Sequence, residues 1–311
     1  MSAVIPVYNE EESLDKFYKR LAPELKKLDK SYEIIFVDDG SNDSSLSILK
    51  KLASKDKNVK VFSFRRNRGK AEALTAGFQA AKGDYIVTLD ADLQDRPEEI
   101  KKLLDYAKKN NYDMVSGWRK FRSDPLKKRL SSKVFNYIIS LWGVKLNDYN
   151  SGLKLYSKEA AKSLNLYGGM HRFIPLLAYQ GGFDVTEIPV EHDKRQFGKS
   201  KYGFSKLWKD IPDMFTMLFL TRYATKPLHF FGLIGSIIFG IGFVILVYLS
   251  VLHFQGHAIG DRPLFLLGIL FMLVAFQILF TGFLADLMIH VTQNHNGPKT
   301  ADETLFKFKS N

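Results

Sequence analysis

Residues 84–95, DYIVTLDADLQD, join a short apolar run to a row of side chains that carry oxygen atoms. The apolar run is typical of a buried β-strand. Asp90, Asp92 and Gln94 follow it at alternate positions, where their oxygen atoms can converge on one hard divalent cation. Because the chain has no cysteine and no cluster of histidines, the expected metal is Mg²⁺ or Mn²⁺. We therefore predict a metal site at this strand end.

Strand and helix patterns alternate through the segment that surrounds this stretch. Strand-like runs occupy residues 2–7, 32–38, 59–64, 84–90 and 112–117. Helical patterns separate them at about 11–28, 43–54, 70–81 and 97–109. Repeated strand–helix units with continuous apolar strands predict an α/β fold with a mostly parallel sheet and helices on both faces.

Polar clusters follow four of these strands. They are PVYNEEE at 6–12, VDDGS at 37–41, RRNRGK at 65–70 and DADLQD at 90–95. Each cluster alone could be a turn or a helix cap. Ligands of parallel sheets bind at the carboxyl ends of the strands, so four clusters at that edge favour a binding site. The sequence has neither a GxxxxGK[ST] phosphate loop nor a GxGxxG dinucleotide motif, which argues against both of those nucleotide-binding classes.

Two stretches towards the C-terminal end, about 228–252 and 264–285, contain no Asp, Glu, Lys or Arg. Each exceeds the ~20 apolar residues that cross a bilayer, so we predict a transmembrane hairpin rather than two buried core helices. Arg222 and Lys226 precede the first span, and three lysines follow the second. The positive-inside tendency then places both ends in the cytoplasm. We expect an integral protein of a bacterial-type inner membrane.

The formal charge of +12 lies wholly outside the hairpin and tail, because from residue 227 onward four basic residues balance four acidic ones. Basic stretches at 119–133 and 194–209 adjoin amphipathic helical patterns at 125–142 and 204–220. These patterns could pack on the core, but we expect them to lie on the bilayer surface. The predicted organisation is a catalytic domain at 1–203, an interfacial region at 204–226, a hairpin at 227–290 and a cytoplasmic tail at 291–311.

Eight motifs in order carry a family resemblance. They are IPVYNEEE, VDDGSNDSS, RNRGKAEAL, DADLQD, SGWR, the run Arg129–Ser132–Asn136, DYNSGLKLY and RQFGKSKYG. With them, residues 2–222 and, more loosely, the hairpin resemble the inverting family-2 glycosyltransferases of the polyprenyl-phosphate (dolichol-phosphate) hexose synthase type. This resemblance implies a nucleotide-diphospho-sugar transferase domain of the GT-A type.

The resemblance also implies roles for individual residues. A nucleotide-sugar site would contain Pro6, Tyr8, Glu10, Val37, Asp39, Lys70, Asp90, Ala91, Asp92, Gln94, Arg119, Arg195 and Lys201. The acceptor phosphate would contact Arg119, Arg129, Ser132 and Ser151. Asp92, Arg119, Arg129 and Asp148 would be the catalytic residues, with Asp148 either a base or a hydrogen-bonding support. One departure is Lys154, which stands where the family often has the arginine of SGFR.

The implied reaction transfers a hexose, mannose or glucose, from a GDP- or UDP-sugar to polyprenyl phosphate with inversion. A phosphate monoester is substantially ionised near neutral pH, so this nucleophile hardly needs a general base. Alternatives are an amino or N-acetylated sugar as the transferred group, and a membrane polysaccharide synthase. The latter would carry a QxxRW motif, which precedes none of the three tryptophans. A catalytically dead scaffold and a nucleic-acid-binding protein fit the motifs poorly. The hairpin could support a homo-oligomer.

Overall fold

A computed structural model describes residues 1–29, 31–120, 143–193, 223, 226–258 and 263–295. The chain forms two compact units, Met1–Met214 and Phe215–Asn311. The amphipathic patterns predicted at 125–142 and 204–220 lie outside the described residues, as does the part of the predicted tail after residue 295. Those predictions, and the predicted domain boundaries, stay predictions.

The first unit contains a seven-stranded sheet in the order β3-β2-β1-β4-β6-β5-β7. The strands are β1 (Ser2–Val7), β2 (Glu33–Asp38), β3 (Val59–Ser63), β4 (Tyr85–Thr88), β5 (Met114–Trp118), β6 (Lys154–Ser157) and β7 (Val185–Pro189). β1, β2, β3 and β4 pair in parallel, as do β5 and β7. β6 pairs antiparallel with β4 and β5. The predicted α/β class with a mostly parallel sheet is confirmed.

Six α-helices accompany the sheet in the described part of this unit. They are α1 (Leu14–Leu28), α2 (Ser45–Lys55), α3 (Lys70–Ala80), α4 (Ile100–Asn110), α5 (Lys158–Ser163) and α6 (Ile174–Gln180). Short 3-10 turns occupy Pro97–Glu99 and Met170–Arg172. The four helices and five strands predicted up to residue 117 are present, with ends shifted by up to three residues.

The central strands are buried because helices cover both faces of the sheet. Ile34, Ile35 and Phe36 are successive residues of β2 with no exposed surface. Helix α3 approaches the sheet closely at Gly77, where an added Cβ would lie 2.3 Å from a methyl carbon of Val4. A larger residue at Gly77 would push α3 outward. Its first residue, Lys70, belongs to the RRNRGK cluster, so this packing also sets the position of a predicted site residue.

The second unit contains two long helices, α7 (Pro227–Phe254) and α8 (Pro263–His295). Both are long and apolar enough to cross a membrane, and the predicted spans lie inside them. Helix α8 continues five residues past residue 290, where the tail was predicted to follow. The helices pack antiparallel through glycines: a Cβ at Gly235 would lie 2.8 Å from Leu279, and one at Gly242 would lie 3.0 Å from Phe271. Small residues that bring two backbones together are typical of helix pairs in lipid.

Candidate functional site

The loops after β1 and β2 are tied together by hydrogen bonds. The backbone N–H of Asn9 donates to Ser41 Oγ at 3.0 Å, and that of Asn42 donates to Asn9 Oδ1 at 2.9 Å. The N–H of Glu10 donates to Ser45 Oγ at 2.9 Å. The PVYNEEE and VDDGS clusters therefore form one continuous rim at the carboxyl ends of the strands, as the sequence predicts.

Asp39 joins a third cluster to this rim. Its buried carboxylate accepts hydrogen bonds from the N–H groups of Arg68 at 2.7 Å and Gly69 at 2.9 Å, and from Asn67 Nδ2 at 2.9 Å. Burial raises the pKa of Asp39, although these donors oppose the shift. Gly69 has a φ of +102°, a conformation that favours glycine. Asp39 thus holds the loop that leads into α3 and Lys70.

The other predicted nucleoside contacts differ in exposure. Pro6, near the end of β1, and Tyr8 and Glu10, in the loop after it, are partly exposed. Val37 is fully buried inside β2, and Ala91 is almost fully buried. Neither of those side chains offers surface to a ligand. Nucleotide binding by these five residues stays a prediction.

Strand β4 ends at Thr88, and the acidic segment DADLQD follows after Leu89. Lys70 Nζ forms an ion pair with the Asp90 carboxylate. Burial opposes ionisation of Asp90, but the nearby positive charges, Lys70 first, outweigh it and hold the pKa of Asp90 below its usual value. The backbone N–H of Asp90 donates to Asp95 Oδ2 at 3.1 Å. Burial and the charge of Asp90 raise the pKa of Asp95 to about 6.

Asp92 and Gln94 lie on a tight turn beyond Asp90. The N–H of Gln94 donates to Asp92 Oδ1 at 3.2 Å, and Leu93 between them has a φ of +63°. Among the described residues no three His, Asp or Glu side chains are grouped to hold a metal ion. One carboxylate and one amide oxygen nevertheless suit Mg²⁺ or Mn²⁺, because such ions often take most of their ligands from water and substrate phosphates. Asp90 is engaged by Lys70 instead.

The motif DYNSGLKLY passes directly under the acidic segment. A Cβ at Gly152 would lie 2.3 Å from Asp95 Oδ2 and 2.9 Å from Asp90 Cγ, so only glycine fits there without a shift of these carboxylates. Ser151, predicted to contact the acceptor phosphate, is buried. Its Oγ lies 3.5 Å from the carbonyl oxygen of Leu153. The structure thus brings the predicted acceptor motif against the predicted metal segment.

Arg119 and Asp148 form a bidentate ion pair at this place. Arg119 Nε donates to Asp148 Oδ2 at 2.7 Å and Nη2 donates to Oδ1 at 3.1 Å. Nη2 also donates to the carbonyl oxygen of Asn150 at 2.9 Å. Burial alone would lower the pKa of Arg119, but Asp148 and the charges of Asp95 and Asp90 raise it. The guanidinium is therefore a fixed positive charge with a defined orientation.

Sequence reasoning missed a group that supports the acidic segment from outside. Residues after β7 run beside it: Asp95 and His192 form an antiparallel bridge, and the N–H of Asp193 donates to the carbonyl oxygen of Gln94 at 2.9 Å. The Asp193 carboxylate accepts from Arg20 Nη1 at 3.0 Å and Arg96 Nε at 2.7 Å. Residues 173 and 97 positions apart give no local sequence signal of such contacts.

Arg129, Ser132, Arg195 and Lys201 lie outside the described residues. Their predicted contacts with the acceptor phosphate and the donor stay predictions. The described part of the site brings together Lys70, Asp90, Arg119, Asp148 and Ser151, with Asp92 and Gln94 on the adjoining turn.

Comparison with known proteins identifies the family to which this site belongs. Residues 2–164 match the sequence profile described as glycosyl transferase family 2. The chain belongs to glycosyl transferase family 2. This match confirms the family to which the sequence motifs point. Similarity to individual relatives continues beyond the residues that the profile matches.

Two relatives are similar to this family-2 chain over nearly its whole length. A dodecaprenyl-phosphate galacturonate synthase of Rhizobium johnstonii is 36% identical over 296 residues, which cover 93% of this chain and 87% of that protein. An undecaprenyl-phosphate 4-deoxy-4-formamido-L-arabinose transferase of Pectobacterium atrosepticum is 39% identical over 290 residues, which cover 92% and 87%. With α7 and α8, this similarity to transferases of lipid-linked sugars identifies the family-2 chain as a membrane protein.

A solved structure confirms the GT-A type fold of the catalytic part. It is glucosyl-3-phosphoglycerate synthase from Mycobacterium tuberculosis in complex with Mn²⁺ and UDP-glucose. The TM-score is 0.54 at 20% identity, and the match covers 71% of this chain and 78% of that chain. At this identity the likeness shows the fold.

Proposed function

We propose that this protein transfers a sugar from a nucleotide-diphosphate donor to the phosphate of a polyprenyl phosphate, with inversion at the anomeric carbon. The carrying observation is that Gly152 places the acceptor motif, with Arg119 and Asp148, against the acidic segment Asp90–Asp95. Donor and acceptor phosphates can therefore meet at one edge of the sheet. The two relatives described above, both named for lipid-linked sugars, support the same pair of substrates.

The donor side consists of the rim after β1 and β2 and of the acidic segment. In this proposal the nucleoside contacts Pro6, Tyr8, Glu10 and the loop held by Asp39. Asp92 and Gln94 would hold Mg²⁺ or Mn²⁺, which supplies positive charge to the leaving diphosphate. Lys70, which pairs with Asp90, adds a second positive charge beside the same group. Arg195 and Lys201 are proposed to contact the donor on the strength of the sequence motif alone.

The acceptor side is built on Arg119. A phosphate oxygen of the lipid attacks the anomeric carbon and forms the new carbon–oxygen bond, while the bond to the nucleoside diphosphate breaks and that group leaves with the electron pair. An oriented guanidinium binds phosphate and holds it for attack. Asp148 uses both carboxylate oxygens to orient Arg119. We therefore assign Asp148 a positioning role rather than that of a base. Arg129 and Ser132 complete the acceptor contacts in this proposal.

The range of candidate sugars is wider than the mannose or glucose that the family resemblance implies. The two relatives are named for galacturonate and for 4-deoxy-4-formamido-L-arabinose. A carboxylated or amino sugar therefore has at least as much support as an unmodified hexose. The catalytic unit is proposed to face the cytoplasm, because basic residues flank the spans at that side. An assembly of several copies stays a prediction.

A donor screen tests the function. The full-length protein in membranes would be incubated with undecaprenyl phosphate and with radiolabelled UDP-, GDP- and UDP-N-acetyl sugars in turn. Label is expected in the lipid extract with one donor class, and Asp92→Ala is expected to abolish it while the protein still inserts into membranes. Absence of lipid-linked label with every donor would overturn the proposal. Full activity with EDTA present would overturn the metal assignment only.

A further inference from the structure

A small cavity adjoins Asp90. It has a volume of about 10 Å³, which is room for one water-sized group rather than a sugar ring. Its wall contains the polar side chains of Lys70, Thr88, Asp90, Lys154, Tyr156 and His171 beside the apolar side chains of Leu74, Leu89 and Ile174. Pro6 and Ser151 line it as well, so the cavity adjoins both the donor rim and the acceptor motif.

Lys154 places an ammonium group inside this wall. Its side chain is 3% exposed, and its Nζ donates to the carbonyl oxygen of Ser151. Within the described part of the chain it forms no ion pair, whereas Lys70 pairs with Asp90 and Arg119 with Asp148. Burial, and then repulsion by Lys70, lower the pKa of Lys154 to about 7. A buried ammonium without a carboxylate partner is costly, and an anionic ligand group would relieve that cost.

His171 adds a buried ring nitrogen to the wall of the cavity. Its Nδ1 is buried and, among the described residues, has no hydrogen-bond partner. Burial, and then the charge of Lys70, lower the pKa of His171 to about 3, so the imidazole is neutral. A neutral imidazole can offer either a hydrogen-bond donor or an acceptor at that nitrogen. Beside the paired charges of Lys70 and Asp90, the cavity therefore offers the ammonium of Lys154 and the neutral imidazole of His171 to whatever enters it.

We propose that the cavity is a carboxylate subsite for the donor sugar, with Lys154 as the residue that selects a uronic acid. This inference rests on the proposed function, because it names the class of sugar that the same site transfers. The ring stays in the cleft above Asp90, and one carboxylate oxygen enters the cavity to contact the ammonium of Lys154. His171 hydrogen-bonds the same group or a neighbouring hydroxyl.

Two observations favour a sugar carboxylate over a phosphate as the anion. The cavity has room for one small group, and a tetrahedral phosphate with its ester links is larger than that. Arg119, Asp92 and Gln94, which are assigned to the phosphates, are not among the residues that line the cavity, and Lys70, which does line it, is already paired with Asp90. The similarity to a dodecaprenyl-phosphate galacturonate synthase agrees with a carboxylated donor.

Matched donor pairs test the inference with the full-length protein and undecaprenyl phosphate. The pairs are UDP-glucuronate with UDP-glucose, UDP-galacturonate with UDP-galactose, and GDP-mannuronate with GDP-mannose. We expect kcat/KM to favour the uronate by about tenfold or more in one pair, which is the effect of a single charge-assisted contact. Lys154→Met is expected to remove most of that preference by lowering only the uronate value, and Lys154→Arg to keep part of it.

Binding of the preferred nucleotide-uronate, measured by calorimetry, separates recognition from folding, and the thermal unfolding of Lys154→Met checks its fold. A wild-type preference for the neutral sugar in all three pairs would overturn the inference and leave the transfer function standing. An equal fall in kcat/KM for the uronate and the neutral sugar of a pair in Lys154→Met would also overturn the inference. Absence of transfer from all donors, including those of the broader screen, would overturn the proposed function together with this inference.

Discussion

Gly152 lies so close to Asp95 that an added Cβ would stand 2.3 Å from a carboxylate oxygen of Asp95. The contact matters because both partners are buried and because Asp90, which pairs with Lys70, is the next neighbour at 2.9 Å. The acidic segment after β4 and the motif before β6 can approach each other only through a residue without a side chain. This approach places the predicted donor and acceptor groups in one site.

Gly152→Ala is expected to displace the acidic segment. Overpacking of this kind costs about 1–3 kcal/mol of stability, and the displaced carboxylates should lower sugar transfer by about 100-fold. Gly232→Ala is the matched control, because an added Cβ there meets nothing within 4 Å. Thermal unfolding and lipid-linked product formation measure both effects. Normal transfer by a folded Gly152→Ala protein would show that the close approach is dispensable.

Asp148→Asn is expected to lower kcat/KM for polyprenyl phosphate by about 10- to 100-fold, with a larger effect on the acceptor KM than on the donor KM. The amide cannot supply two charged oxygens to Arg119, so the guanidinium loses its orientation. Rates measured across pH distinguish the roles. If Asp148 only positions Arg119, the pH profile keeps its shape in the variant. Loss of one limb of the profile would identify Asp148 as a base instead.

Lys154→Met is expected to stabilise the protein most at low pH. The pKa of Lys154 is lowered to about 7 from an ordinary value of 10.5, so between these pH values the unfolded chain binds the proton more strongly than the folded protein. The wild type therefore gains stability from this group as pH rises from 7 to 10.5, and below pH 7 the full cost of the buried charge is present. Methionine has no such charge.

The difference in unfolding free energy between Lys154→Met and wild type should thus shrink from pH 7 to pH 9.5. Chemical denaturation at both pH values measures it, and effects of other titrating groups largely cancel between the two proteins. A difference that stays constant or grows with pH would contradict the burial of an uncompensated ammonium at this position.

Asp193→Asn is expected to weaken Mn²⁺ binding by about tenfold, the size of effect typical when the support of a metal ligand is removed. The backbone N–H of Asp193 donates to the carbonyl oxygen of Gln94, and the Asp193 carboxylate, which accepts from Arg20 and Arg96, holds that backbone in place. Glu98→Gln is the control, because Glu98 pairs with the same Arg20 at 2.7 Å. Electron paramagnetic resonance of Mn²⁺ gives the affinities. Equal affinities of Asp193→Asn and wild type would remove this support role.

The strands that the sequence reveals are those with continuous apolar runs. β2 reads EIIFVD and is buried throughout most of its length, so its pattern and its environment agree. β6 reads KLYS, has four residues and begins with a lysine, and its place between β4 and β5 depends on pairing with distant strands. Its pattern alone does not indicate a strand. β7 is absent from the predicted strands for a different reason: only Ile188 among its residues is buried, so no apolar run marks it.

The site, like the sheet, has features that the sequence predicts and contacts that only the structure shows. The rule that ligands bind at the carboxyl ends of parallel strands correctly brings together the rim after β1, the loop after β2 and the acidic segment. No local pattern indicates that Lys70 pairs with Asp90, or that Gly152 touches Asp95. Such contacts depend on how α3 and β6 pack on the sheet. The departure from SGFR drew attention to Lys154, but only the structure shows that its ammonium is buried.

The choice of acceptor tests the central claim most directly. The full-length protein, with the donor that the screen identifies, would be given undecaprenyl phosphate or undecaprenol, and the label in the lipid extract would be counted. The account predicts product with the phosphate and none with the alcohol, because Arg119 is proposed to bind the phosphate and no base is assigned to deprotonate a hydroxyl. Equal labelling of undecaprenol would contradict the phosphate nucleophile, and with it the proposed reaction.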